Sequence, residues 1–420
     1  MLSLAACSEN ATDDDGAADG DADRETDSPG EEEETPDLPF APAGPDAAPD
    51  PLQPGPFPVG VMTIDLVDDS RTDPSLGGPR FVRTEIWYPA VQSAAALSPW
   101  TYDLKAEADA NIDLGENRDV FMAQEMPGFE SMTVRDAEME QTYAPYPLVL
   151  FSHGAYSLRM QYLFFTAHLA SHGYVVVAGD HRGNTLWDMI RDGFNPETFG
   201  DAAVNRPLDV VFLLNQMEKL NAQAGHALYG AIDVSKVGVS GHSFGGYTAL
   251  IAPCIDSRLS LAVPMAPLTL GLESAGCDPS AYPAALLLMG ATDDRTLAWQ
   301  SQYCTAFQME APAKWLYELV GGGHFTFSDV CAYGLDAFGP FEIPDLENDG
   351  CSETDNIPYA LAQQTIRHYA VAVFNRYLRD SSGSEAFLEQ FDESPFDVVH
   401  FYSGGALPDW PEGGCGEAGK

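Results

Sequence analysis

Three polar residues in the second half of the chain stand at the ends of apolar runs, each beside small residues. Ser243 sits in Gly241-His242-Ser243-Phe244-Gly245-Gly246, directly after Val237-Gly238-Val239-Ser240. A serine flanked by glycines, between a short strand and a small-residue helix start, matches an elbow where the chain turns so tightly that only glycine clears its neighbours. Further on, Leu286-Leu287-Leu288-Met289-Gly290-Ala291-Thr292-Asp293-Asp294 reads as a strand ending in a turn with two carboxylates. Leu316-Tyr317-Glu318-Leu319, followed by Val320-Gly321-Gly322-Gly323-His324, reads as a strand whose glycine turn presents one histidine. Serine, carboxylate and histidine in that order suit nucleophilic acyl transfer. The imidazole takes the hydroxyl proton, the carboxylate orients the imidazole, and N–H donors hold the developing oxyanion. The elbow alone is a short pattern, so the elements around it carry the weight.

Those elements alternate. After Pro147 the chain reads as a strand at 148–151, a helix at 160–171 stopped by Gly173, and a strand at 174–178. A helix at 201–221 follows, with Val204, Leu208, Val211, Phe212 and Leu214 on one face. Strands at 237–240, 261–264, 286–289 and 314–319 come next, with helices near 296–309 and 357–378. Short continuous apolar runs between amphipathic helices imply an α/β fold, a mostly parallel central sheet with helices on both faces. Residues 59–67 and 80–88 alternate as an antiparallel N-terminal strand pair, with Asp73-Pro74 and Gly77-Gly78-Pro79 as the loop. Residues 91–145 show no sustained period and are expected to be an insertion between strands, a candidate cap over the site.

The 420 residues carry a formal charge of −44. Residues 8–56 alone hold 16 Asp or Glu against the single Arg24, with almost no large apolar side chain. Such a segment cannot bury enough surface to fold, and is expected to be a disordered acidic, proline-rich tether. A single large folded domain is then expected at 57–407, with 408–420 as a C-terminal tail. Acidity of this degree repels phosphate backbones, so nucleic acid is excluded as a partner. Residues 1–7 end in Leu4-Ala5-Ala6-Cys7, similar to the lipobox at which bacterial lipoproteins are cut and lipidated, here without a basic n-region and with a very short apolar segment. No apolar run is long enough to span a bilayer, so membrane contact is expected only through a lipid on Cys7. The other cysteines, Cys254, Cys277, Cys304, Cys331, Cys351 and Cys415, are an even set that suits disulfides in an exported, periplasmic or secreted protein. Proximity in sequence favours Cys331–Cys351 and Cys254–Cys277; scattered free thiols are the alternative. No CxxC or Cys/His ligand spacing occurs, and neither a metal nor a cofactor is expected.

Residues 147–185, with Phe151-Ser152-His153-Gly154 and Leu169-Ala170-Ser171-His172-Gly173-Tyr174, resemble bacterial platelet-activating factor acetylhydrolase and dienelactone-hydrolase-like esterases. So do the elbow and Gly323-His324-Phe325-Thr326-Phe327-Ser328-Asp329, and the similarity runs roughly from 59 to 378. The resemblance implies the α/β-hydrolase fold, with Ser243 as nucleophile and His324 as base. It implies the N–H groups of Ala155 and Phe244 as the oxyanion hole, and Asp294 as the acid, with Asp293 the alternative. Dienelactone hydrolases proper use cysteine where this elbow has serine. The animal acetylhydrolase carries its acid after the strand following the elbow, where Val263-Pro264-Met265-Ala266-Pro267 offers none, so the acid falls one strand later, as in cutinase-like polyester hydrolases. The implied function is a serine ester hydrolase on short-acyl esters. A polyester hydrolase, and a surface-tethered binding lipoprotein that has lost the chemistry, are the alternatives. The implied partner is a small-molecule or polymeric ester, and a monomer is expected.

Other residues invite structural readings. His153 and His242 are expected to pack against or hydrogen-bond the elbow, and Asp180-His181-Arg182-Gly183-Asn184-Thr185 to shape a loop. Asp209 and Arg206 read as an exposed helical pair. Trp187, Met189, Ile190, Phe194, Phe325 and Phe327 suit either an acyl pocket or core.

Overall fold

The sheet is built from runs whose every residue is buried: Tyr-Pro-Leu-Val-Leu-Phe-Ser at 146–152, Val-Val-Val-Ala-Gly at 175–179 and Ala-Leu-Leu-Leu-Met-Gly-Ala at 285–291. A computed structural model describes residues 42–43, 48–109, 112–126, 128–195, 197–333, 346–352, 354–389, 393, 395–403, 407 and 414–415. The chain divides into Met1–Thr35 and Pro36–Lys420, and every described residue lies in the second unit. Cys7, most of the expected tether and most of the C-terminal tail lie outside the described residues.

Ten strands form one sheet: β1 (Val59–Thr72), β2 (Pro79–Pro89), β3 (Thr133–Arg135), β4 (Tyr146–Ser152), β5 (Val175–Gly179), β6 (Ile232–His242), β7 (Leu259–Met265), β8 (Ala285–Ala291), β9 (Lys314–Leu319) and β10 (Val399–Ser403). Their spatial order is β10-β9-β8-β7-β6-β4-β5-β2-β1-β3. From β5 to β9 every neighbour is parallel, whereas β1–β2, β2–β5 and β9–β10 are antiparallel. The expected strand pair is therefore present, and it docks on the parallel sheet through β2.

Alternation along each strand sorts side chains onto two faces. Val149, Phe151, Val176, Ala178, Leu287 and Met289 join one core with α3 (Leu163–Ser171), α4 (Leu186–Asp192) and α8 (Tyr359–Leu378). Leu148, Leu150, Val175, Val177, Leu286 and Leu288 join the other with α5 (Thr198–Ala222), α6 (Phe244–Ile255) and α7 (Trp299–Gln308). The helix α5 buries Phe212 and Leu214 of the expected apolar face but turns Val204 outward and adds polar residues to its inner side. Val204 is 64 % exposed, and the buried side carries Arg206, Asp209, Val210, Leu213 and Met217. Polar partners from β2 and from the loops after β4 and β5 hold those polar residues, so Arg206 and Asp209 are buried rather than an exposed pair.

Segment 91–145 contains α1 (Leu104–Asp109) and α2 (Arg118–Ala123). It also supplies β3, which pairs in parallel with Val59–Val61 at the sheet edge. Its Tyr102, Leu104, Leu114, Phe121 and Phe129 are buried in the core shared with α3 and α8. Three disulfides close the described fold: Cys254–Cys277, Cys331–Cys351 and Cys304–Cys415. The first two are the pairs that sequence proximity favours; the third joins partners 111 residues apart, which proximity does not reveal.

Candidate active site

The central strand β6 runs straight into Ser243, which has φ 57° and ψ −115°, and α6 begins at the next residue. A left-handed serine is strained by roughly 1–3 kcal/mol and persists only where its surroundings hold it. Here Ser243 N–H donates to Met265 O at 2.9 Å and Ser243 O accepts from Leu268 N–H at 3.1 Å. A Cβ on Gly241 would meet the carbonyls of Gly245 and Ser152, and one on Gly245 would meet that of Ser152, so both positions require glycine. Phe244 opens α6, and its N–H belongs to the first turn, which has no intrahelical acceptor.

His324 and Asp294 follow β9 and β8, whose parallel pairing sets their loops side by side. His324 Nδ1–H donates to Asp294 Oδ2 at 2.9 Å, and both side chains are buried. Asp294 also accepts from Leu297 N–H at 2.6 Å and from Gln302 Nε2 at 3.1 Å. Asp293 is exposed and accepts only from Thr292 Oγ at 2.9 Å among the described contacts. Of the two carboxylates, the geometry brings Asp294 to the imidazole.

A third carboxylate, Asp349, joins the two loops from beneath. It is fully buried and accepts from His324 N–H at 2.8 Å, Arg295 N–H at 2.9 Å and Thr296 Oγ–H at 2.7 Å. Nothing in its acidic surroundings, Asp345-Leu346-Glu347-Asn348-Asp349, marks it out in the sequence.

The turn after β4 carries Ala155. Gly154 N–H donates to Tyr162 Oη at 2.9 Å, Tyr156 N–H to Asn184 O at 3.1 Å and Ser157 N–H to Gly154 O at 3.4 Å. Ala155 lines the same cavity as Ser243 and Phe244. From Tyr162 a chain of donors crosses the site: Tyr162 Oη lies 3.1 Å from His242 Nδ1, and His242 Nε2–H donates to His324 O at 2.9 Å. One bonded path thus links the turn, the elbow and the histidine loop. Burial holds His242 well below the usual histidine range and pushes Tyr162 up to about 12, so both are neutral members.

Behind the turn lies a second serine–histidine–aspartate chain. Ser152 Oγ–H donates to His181 Nε2 at 2.8 Å, and His181 Nδ1–H donates to Asp209 Oδ2 at 2.9 Å. Each of the three is at most 1 % exposed, which denies them a substrate. Burial alone would raise Asp209, but hydrogen bonds from Arg80 and His181 hold it far below the usual carboxylate range. Arg80 grips it through Nε at 2.8 Å and Nη2 at 2.7 Å, and Arg71 Nη2 adds a contact at 2.7 Å. Burial lowers His181 to about 4, so it is neutral at pH 7. The backbone N–H of His181 donates to His153 Nε2 at 3.0 Å, and His153 Nδ1–H donates to Gly154 O at 2.7 Å. His153 and His242 therefore brace the site, and the loop from Asp180 to Thr185 supports the turn without lining the cavity.

The cavity above Ser243 is about 380 Å³. Tyr156, Met189, Phe194, Phe199, Leu268 and Phe325 form its apolar wall. Trp187, Ile190 and Phe327 do not line it and are buried in core instead. Among the described residues none from 91–145 lines it.

A ten-stranded, mostly parallel sheet, an elbow leaving its central strand, and Asp and His on the two strands beyond define an α/β-hydrolase. A family model described as platelet-activating factor acetylhydrolase, isoform II, matches residues 51–191, and one described as PET hydrolase-like matches 128–333. A probable 1-alkyl-2-acetylglycerophosphocholine esterase of Arthroderma benhamiae is 30% identical over 215 residues, 47% of this chain and 52% of that protein. The platelet-activating factor acetylhydrolase of Cavia porcellus is 28% identical over 159 residues, 30% of this chain and 36% of its own. The chain thus spans about half, or less, of the curated relatives it matches. The solved ferulic acid esterase from Streptomyces cinnamoneus superposes with a TM-score of 0.61 at 26% identity, covering 82% of this chain and 96% of its own. The chain has the α/β-hydrolase fold and is similar to platelet-activating factor acetylhydrolases over 51–191 and to PET hydrolase-like proteins over 128–333.

Proposed function

We propose that the protein is a serine-dependent carboxylic ester hydrolase that acts through an acyl-enzyme on short-acyl esters, in the manner of an acetylhydrolase. The observation that carries this reading is the buried 2.9 Å contact from His324 Nδ1 to Asp294, in a chain whose elbow puts Ser243 in the same cavity as His324. Ser243 Oγ attacks the ester carbonyl while His324 Nε2 takes its proton, and Asp294 holds the imidazole in the tautomer that can accept it. The carbonyl oxygen, now an oxyanion, accepts from Ala155 and Phe244 N–H. The intermediate collapses, His324 returns the proton to the departing alkoxide, and the alcohol leaves. Water then attacks the acyl-serine by the same route in reverse, releasing the acid and restoring Ser243.

The similarity to acetylhydrolases over 51–191 supports an acetyl or other short acyl group. A polyester hydrolase is the second reading. It is supported by the PET hydrolase-like match and by Phe194, a cavity-lining aromatic that is 68 % exposed. Three disulfides support an exported protein, and lipidation of Cys7 and a monomeric state complete the proposal. Comparing kcat/KM on p-nitrophenyl acetate, butyrate and octanoate, on a 2-acetyl phospholipid and on a polyethylene terephthalate film tests the substrate. Acetyl and butyryl esters are expected to lead. Faster product release from the film favours the second reading, and hydrolysis of none of them overturns both.

A further inference from the structure

Arg206 projects from the inner side of α5 to the back of the turn that carries Ala155. It is fully buried, yet no carboxylate lies within ion-pair distance of it among the described residues. Its Nη1 donates to Asn184 Oδ1 at 2.5 Å, and its Nη2 donates to His153 O and to Ser152 Oγ, the latter at 3.3 Å. All three acceptors are neutral. Asp209, three residues along the same helix, has its oxygens taken by Arg80, Arg71 and His181. Among the described residues Nε of Arg206 has no acceptor. The guanidinium carbon lies 4.8 Å from the ring centroid of Phe244.

Burying a cation among neutral acceptors is unfavourable, and a neutral side chain could brace the same loops more cheaply. Burial does lower Arg206, to about 9, which still leaves it a cation at pH 7. What the charge faces gives it a use. On one side its fork holds His153 O, the carbonyl before Gly154, and Asn184, whose own carbonyl takes Tyr156 N–H. Those contacts fix both ends of the short segment that contains Ala155 N–H. On the other side lies the ring of Phe244, whose N–H starts α6. Arg206 therefore touches both residues' supports, from the side away from the cavity.

Resting on the serine-hydrolase reading above, we propose that Arg206 is a positioning residue for the reaction: it fixes the turn bearing Ala155, and its uncompensated charge favours the oxyanion held by Ala155 and Phe244. It touches neither substrate nor the reacting atoms. Its effect belongs to the transition state, where negative charge develops, and not to substrate binding.

The test compares the parent with Arg206→Lys and Arg206→Gln on p-nitrophenyl acetate, with thermal melting as the folding control and a phenylboronic acid as the tetrahedral-adduct probe. The expected order of kcat is parent, then Lys, then Gln, with Gln about 10- to 100-fold below the parent and KM within about twofold. Affinity for the boronic acid should fall by the same factor as kcat. Folded variants with parental kcat overturn the proposal, as does a Lys variant no better than Gln. If the Gln variant does not fold, Phe244→Leu removes the ring facing the guanidinium together with its stacking on Phe199; it should lower kcat about threefold, and an unchanged kcat overturns the electrostatic part. An inactive parent instead refutes the hydrolase reading itself, which separates the two failures.

Discussion

Asp293 and Asp294 are neighbours in the chain with opposite surroundings. Asp294 is buried against His324, Leu297 N–H and Gln302, whereas Asp293 faces solvent and Thr292. Asp294→Asn should therefore lower kcat on a p-nitrophenyl ester by about 10³–10⁴-fold, because the amide no longer holds the right imidazole tautomer. Asp293→Asn should stay within about twofold. Equal losses from the two variants would contradict the assignment. The positions of Ser243, Asp294 and His324 were legible because each ends an apolar run, and a strand end in a parallel sheet is where a loop can present a side chain. Asp349, Tyr162 and Arg206 were not. Their roles come from contacts 25, 80 and 53 residues away in the chain, to His324, His242 and His153, and no local pattern encodes such distances.

The strands of the parallel sheet were readable because burial on both sides makes them continuous apolar runs. The three-residue β3 was not, since pairing with Val59–Val61 and not its own composition makes it a strand. The facing of α5 was read only in part for the same kind of reason: Phe212 and Leu214 are buried as expected, but Arg206 and Asp209 also face inward, held by Arg80, His181, Asn184 and His153. The disulfide Cys331–Cys351 has a mechanical role at this level. It ties the segment after His324 to the one that carries Asp349, two residues before Cys351, across a sequence separation of 20. Changing both cysteines to serine should remove about 3 kcal/mol of stability and lower kcat as the Asp349 clamp loosens. The corresponding change at Cys254 and Cys277, at the far end of α6 from Ser243, should lower stability and leave kcat unchanged. Melting curves and kcat measured side by side check this, and parental kcat in the Cys331/Cys351 variant would contradict the clamp.

At the scale of the whole fold, several histidines are buried as neutral rings. Burial lowers His168 to about 3 and His172, His181 and His368 to about 4. In the unfolded chain they titrate near 6.5, so between about pH 6.5 and 4 the unfolded state binds more protons. Stability is therefore present above that window and falls as pH drops through it, by up to about 1.4 kcal/mol per pH unit per histidine. Asp329 works in the opposite direction, because burial raises it to about 7 and the folded state keeps its proton longer. Four histidines outweigh one carboxyl, so the urea midpoint at pH 5 should lie below that at pH 7. A higher midpoint at pH 5 would contradict the buried-neutral assignment.

The catalytic expectations all depend on a reactive serine just after β6. The most direct measurement is labelling of the purified protein with a fluorophosphonate, followed by mass spectrometry of its peptides, with Ser243→Ala alongside. The account predicts one stoichiometric adduct on Ser243, loss of p-nitrophenyl acetate hydrolysis in step with labelling, and neither label nor activity in the alanine variant. A folded protein that takes no label at Ser243, or that keeps its activity with Ser243 replaced, would contradict it.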